Sequence, residues 1–285
     1  MNHRFARTLG AAVAVAVLSG VSLASVATQG ASDSMWKPPI DISTEGHRSD
    51  SLFMTTTWFL AVLFAIMSAI LGIAMVRFRA AKSGHAHYHP GDTWKDGMFG
   101  FVVSTIIFLV VDGNLLVRSH IDLNEVYWRY PENDPGVVRV EVLAQQWGWN
   151  FRYAGRDGAF NTPDDIVTFN DFRVPEGKKV LLQIASKDVI HSFFLANCRM
   201  KQDAVPGQIT RMWFETKPQT AGEYEVACAE ICGFGHYMMK SRFVVLKEAE
   251  FKSWLEEAAR WSAIALDPPQ LEQQWGWAWA VSKTR

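Results

Sequence analysis

The chain has 285 residues, with 28 Lys and Arg against 29 Asp and Glu, and its net charge of −1 excludes a general pull toward nucleic acid or acidic lipid. Apolar residues make up 49% and aromatic residues 13%, including 12 Trp, and the long apolar stretches all lie before residue 118. The only cysteines are Cys198, Cys228 and Cys232, too few for a disulfide framework, and no C-x-x-C-H occurs to attach a c-type haem.

Residues 1–31 read as a secretory signal: Arg4 and Arg7 precede an apolar run from Ala11 to Leu23, followed by small residues. Ser51 to Val76 contains no charge, and 26 residues at about 1.5 Å each span about 30 Å of hydrocarbon. A second apolar stretch, Gly97 to Val117, is interrupted only by Asp112. Together they predict a transmembrane hairpin over residues 32–118, with helices at about 51–76 and 97–117. The connecting loop carries Arg77, Arg79, Lys82 and Lys95, so the positive-inside rule puts it in the cytoplasm and both chain ends outside. Asp112 lies six residues before Arg118, which favours the outer interface over a role inside the membrane. His85, His87 and His89 alternate in the loop, among Gly84, Pro90 and Gly91, without the spacing of a compact metal site.

From Val137 to Leu246 the pattern changes to short alternating runs separated by turns. Val137–Leu143, Phe172–Val174, Lys179–Ile184, Arg211–Glu215 and Ser241–Leu246 all read as strands. Their spacing predicts an antiparallel sandwich or barrel over residues 119–248, all-β and anchored by the hairpin. A tail over 249–285 returns to helix from Ala249 to Ala265 and stops before Asp267-Pro268-Pro269. The segment 156–165 is acidic and turn-rich, and reads as a solvated loop.

The chemistry concentrates in Cys228-Ala-Glu230-Ile-Cys232-Gly-Phe-Gly-His236-Tyr-Met-Met239. Thiolate, thioether and imidazole ligands select copper over magnesium, calcium or manganese. Two cysteines four apart can bridge two copper ions, each then needing its own imidazole. His236 offers one; His191, which follows a predicted strand, offers the other. A Cys228–Cys232 disulfide would leave His236 and Met239 without a role, and a zinc site would leave Met239 without one.

These motifs, with Asp188-Val-Ile-His191-Ser192 and Lys201-Gln-Asp203-Ala-Val-Pro-Gly207 before them, resemble subunit II of the haem–copper oxidases over roughly residues 50–250. The resemblance implies a cupredoxin-like Greek-key fold and a dinuclear copper (CuA) centre. Cys228 and Cys232 would bridge the ions, His191 and Met239 would complete one, and His236 with the Glu230 carbonyl the other. The Glu230 side chain would reach a magnesium or manganese ion shared with a haem-bearing catalytic subunit. Trp147, in Gln145-Gln146-Trp147-Gly148-Trp149, would receive the electron from cytochrome c, although the family has an aromatic residue where Gly148 stands. The implied setting is the bacterial inner membrane, with subunits I and III as partners and the β-domain in the periplasm.

One departure keeps an alternative open. Where the family has a glutamate at the mouth of a proton path, this chain has Thr93-Trp-Lys-Asp96-Gly97, so an electron-accepting subunit of a nitric oxide reductase stays possible beside the oxidase. A membrane-tethered copper carrier is a further alternative. Cys198 stands at an apolar position of the family and reads as a buried hydrophobe. The pentapeptide of residues 145–149 recurs as Gln273-Gln274-Trp275-Gly276-Trp277 with no physical account.

Overall fold

The computed structural model describes residues 38–79 and 88–265. The signal segment, His85, His87 and the Gln273–Trp277 repeat lie outside these residues. The chain divides into two compact units, of which the described parts are 50–79 with 88–120, and 38–49 with 121–265.

Two helical rods make up the described part of the first unit and run past the unit's boundaries, and helix α1 (Gly46–Arg77) is longer than expected at both ends. Helix α2 (Trp94–Ile107) runs through a π-helical turn at Phe108–Asp112 into α3 (Gly113–Asp122), and a second such turn follows at Leu123–Tyr127. The second apolar stretch therefore extends beyond Val117 as a nearly continuous rod, with Asp112 in one of the two places where its hydrogen-bond pattern slips. Phe53, Trp58, Leu60, Phe64, Phe99, Phe101 and Leu109 are all more than half exposed, which suits a helix whose solvent is hydrocarbon. Asp96 sits in the first turn of α2, capped by Thr93: Thr93 Oγ1 donates to its carboxylate at 2.5 Å and accepts from its N–H at 3.4 Å.

The second unit is a sandwich of two five-stranded sheets. Its strands are β1 (Val138–Gln145), β2 (Gly148–Tyr153), β3 (Ile166–Phe169), β4 (Asp171–Pro175), β5 (Lys179–Ser186), β6 (His191–Leu195), β7 (Met200–Ala204), β8 (Thr210–Glu215), β9 (Gly222–Cys228) and β10 (Lys240–Leu246). One sheet has the order β3-β2-β1-β5-β8, the other β4-β10-β9-β6-β7. Most strand pairs are antiparallel, as expected, and two are parallel. β1 pairs with β5, and β4 with β10, in parallel; neither pair is consecutive in the chain, so no hairpin fixes its direction. The mixed sheets match the Greek-key, cupredoxin-like architecture that the resemblance implied.

Between the sheets, alternate side chains such as Val140, Val142 and Ala144 meet a chain of rings. Phe151 stacks on Phe172 at 4.9 Å and Phe172 on Phe243 at 5.2 Å, while Trp149 meets Phe193 edge-on at 5.1 Å. Helix α4 (Glu248–Ala265) closes over this core with Phe251 and Trp254. Cys198 is buried in it, as read from the sequence.

Two boundaries differ from expectation. Residues 38–49, expected with the hairpin, pack on the β-unit: Ile42 is in the core, Ser43 bridges to Thr216, and Lys217 pairs with Asp41 at 2.9 Å. The 156–165 segment is not wholly solvated. Its last residue, Asp165, is buried and faces the buried Arg152 at 3.4 Å, which in turn faces buried Glu141 at 3.5 Å.

Candidate metal centre

Strand pairing explains why residues distant in sequence meet at one end of the sandwich. β6 and β9 run antiparallel with Phe193 opposite Cys228, so the start of β6 (His191) meets the end of β9 (Cys228). β10 returns beside β9 with Lys240 opposite Ala227, and the Cys228 N–H donates to the Met239 carbonyl at 3.1 Å. The intervening turn, residues 229–239, brings Cys232 and His236 to the same place. The parallel β1–β5 register aligns Ala144 with Ser186, so the loops after these strands, carrying Trp147 and Asp188, also share this end.

The thiols form the centre of the cluster. Cys228 Sγ lies 3.8 Å from Cys232 Sγ and 3.2 Å from the Glu230 carbonyl oxygen. Cys232 Sγ lies 3.7 Å from His236 Nδ1 and 3.7 Å from Met239 Sδ. Donor atoms of His191, Cys228 and Cys232 all fall within 4.8 Å of one another. His191, Cys232 and Met239 are buried, Cys228 and His236 are half-buried, and the Glu230 side chain is exposed.

His191 shows how the ring is oriented. Its Nε2 meets Asp188 Oδ1 at 2.8 Å, while its buried Nδ1 has no hydrogen-bond partner and belongs to the thiol cluster. A buried polar nitrogen left so is costly unless something else takes its lone pair, and two thiolates, two imidazoles and a thioether are the donors that soft copper prefers. The residues fit a dinuclear copper centre.

The electrostatics agree. Burial opposes ionisation of Cys228, but the adjacent His191 ring and surrounding backbone outweigh it and draw the thiol down to about 6. Burial and the neighbouring Cys228 thiolate push Cys232 up to about 12. Burial disfavours a charged His191, yet Cys228 and Asp188 beside it raise its pKa. Burial also works against an ionised Asp188, but N–H groups of Gln146 and Val189 and the His191 ring hold its carboxyl below the usual range.

Trp147 lies over this loop and is 41% exposed. Its Nε1–H donates to the Cys232 carbonyl at 3.3 Å, and a Cβ on Gly235 would lie 2.4 Å from the ring atom Cδ2, so the indole rests on a glycine floor. Gly148, where the family's aromatic is missing, is covered by Phe169 of β3: a Cβ there would lie 2.4 Å from Phe169 Cζ. That ring is 57% exposed, so an aromatic surface persists from another strand.

All seven residues singled out from the sequence thus meet at this end. Sequence reasoning missed the roles of Asp188 and Gln146, which bind to these residues without being donors to a metal. The D-x-x-H spacing was a signal for the first; nothing in the sequence pointed to the second.

Residues 138–247 match the sequence profile of the family described as cytochrome c oxidase subunit II, periplasmic domain. Residues 138–247, less than half of the chain, thus carry a cytochrome c oxidase subunit II periplasmic domain. It is 27% identical over 253 residues to the alternative cytochrome c oxidase subunit 2 of Bradyrhizobium diazoefficiens, covering 81% of this chain and 86% of that protein. It is 36% identical over 129 residues to cytochrome c oxidase subunit 2 of Thermostichus vulcanus, covering 45% of this chain and 35% of the relative. A haem–copper oxidase subunit 2 of Aeropyrum pernix is 31% identical over 152 residues, with 53% and 58% covered. The residues singled out above, from Trp147 to Met239, all fall inside the matched domain.

Proposed function

We propose that this chain is the electron-accepting subunit II of a cytochrome c oxidase: it takes electrons from cytochrome c at a dinuclear copper centre and passes them to haem in the catalytic subunit, where oxygen is reduced. The observation that carries the reading is the gathering of Cys228, Cys232, His191, His236 and Met239 around a buried imidazole nitrogen without a hydrogen-bond partner. Cys228, Cys232, His191, His236, Met239 and the Glu230 carbonyl would hold the copper pair, with the two cysteines as its shared thiolates. When bound, the copper pair supplies a one-electron carrier whose charge is shared between two ions.

The chain's own residues keep that carrier fixed. The ends of three paired strands hold Cys228, His191 and Met239, and Asp188 fixes the His191 ring, so the ligands have little freedom to move with a change of charge. Trp147 presents a half-exposed ring to the donor and a hydrogen bond to the copper loop. Around it Ile231, Phe234, Tyr237 and Met238 are 60–87% exposed, an apolar surface suited to protein partners. The exposed Glu230 carboxylate is free to meet a magnesium or manganese ion at the contact with the catalytic subunit. The full reading is an inner-membrane protein with a cleaved signal at residues 1–31, two crossings, and a periplasmic domain over 119–248, working with subunits I and III.

The test is to purify the tagged chain from its membrane and record a haem spectrum, metal content and gas turnover. Co-purified haem, two coppers per chain and oxygen consumption with reduced cytochrome c are expected. Copper without haem would make it a carrier, and turnover of nitric oxide alone would make it part of a reductase.

A further inference from the structure

The turn between β1 and β2 does more than present Trp147. Gln146 Nε2–H donates to the Cys232 carbonyl oxygen at 2.8 Å, shorter than the 3.3 Å contact from Trp147 Nε1 to the same atom. One carbonyl oxygen has two lone pairs and accepts both donors. The Gln146 backbone N–H donates to Asp188 Oδ2 at 2.7 Å, and the other oxygen of that carboxylate holds His191 Nε2 at 2.8 Å. Gly233, at φ +116°, turns the Cys232–Gly233 peptide in a conformation that favours glycine. A Cβ at Gly233 would lie 2.9 Å from Gln146 Nε2 and 3.3 Å from the Trp147 ring, so this glycine also makes room for both side chains.

We propose that Gln146 is a positioning residue for electron acceptance: it clamps the Trp147 turn to the Cys232 carbonyl and, through Asp188, ties that clamp to His191. The inference rests on the reading of Trp147 and the copper loop given above. The physical need is clear from exposure. A ring that is 41% exposed has little packing to fix it, and its own hydrogen bond is long. The Gln146 amide supplies the shorter bond, and its main chain supplies a charge-assisted one. Gln146 touches no metal donor directly; it acts on the carbonyl of one and the carboxylate that orients another.

The test uses the full chain in its complex, comparing Gln146→Leu, which keeps bulk and removes the donor, with Gln146→Lys, which restores a donor. Amide hydrogen exchange in residues 233–239 of the copper-free chain reads the clamp without any activity. Loss of one hydrogen bond predicts roughly fivefold faster exchange in the Leu variant and recovery in the Lys variant. In the loaded complex the Leu variant keeps two coppers and its KM for reduced cytochrome c, while kcat for electron acceptance falls several-fold. Unchanged exchange would overturn the clamp, and a raised KM with unchanged kcat would make Gln146 a donor-docking residue instead. Trp147→Leu separates the two layers. If it accepts electrons at the full rate, the reading of Trp147 fails, whereas the exchange result still decides the clamp.

Discussion

At its copper end and toward its far end, the β-sandwich treats buried polar groups in opposite ways. Away from the metal centre, Arg152 lies between Glu141 and Asp165, and charge faces charge with all three side chains out of water. At the copper end the cluster is two thiols, imidazole and a thioether, donors suited to a metal and not a matched cation and carboxylates. A self-contained polar cluster stabilises the fold or specifies it; an incomplete one waits for something from outside. The difference separates residues that hold the scaffold from residues that await a ligand, even though Arg152 and His191 are equally buried.

The largest expected effect tests the first side of this contrast. Arg152→Leu leaves two buried carboxylates facing each other without their cation, and should lower stability by about 3–5 kcal/mol. Denaturant unfolding of the β-unit measures this, and copper content of the surviving folded protein should stay at the wild-type value. A stability loss below about 1 kcal/mol would mean that the cluster contributes little.

A smaller effect is expected where the copper loop meets Trp147. Gly235→Ala puts a methyl 2.4 Å from the indole and must shift the ring or the turn. Electron transfer from reduced cytochrome c should slow by about tenfold, since small misplacements at a reacting pair are costly. Thermal unfolding should hardly move. A variant that slowed transfer only by unfolding would blur the contrast between the two regions.

The mildest prediction concerns pH. In the copper-free protein Cys228 has its pKa drawn down to about 6, so its thiolate is present above that pH and lost as pH falls through it. Cys232, pushed up to about 12, stays protonated over the same range. Alkylation followed by mass spectrometry should modify Cys228 with a midpoint near pH 6 and leave Cys232 largely untouched at pH 8. Equal labelling of both would contradict the asymmetry.

The two regions were also unequally legible in the sequence. Cys228, Cys232, His236 and Met239 fall within twelve residues, so one loop had to bring them together, and the donor types named the metal. His191 could be nominated because it follows directly on a predicted strand. Gln146 could not, because its role depends on a parallel β1–β5 pairing that local alternation does not encode. Likewise the burial of Asp165 follows from a partner on β2, and an acidic, turn-rich run reads as solvent-facing until Arg152 is placed beneath it. The apolar helices were read directly, because their hydrophobicity needs no tertiary partner. Their ends moved by several residues because the π-turns and the packing of residues 38–49 depend on context.

The central claim is that this end of the β-domain holds two copper ions on a shared pair of thiolates. Metal analysis with electron paramagnetic resonance on the purified complex, compared with Cys228→Ser and His191→Ala, tests it most directly. The account predicts two coppers per chain with one unpaired electron shared over both, and loss of that signal in each variant. A single localised copper in the wild type, or an unchanged two-copper signal in either variant, would contradict it.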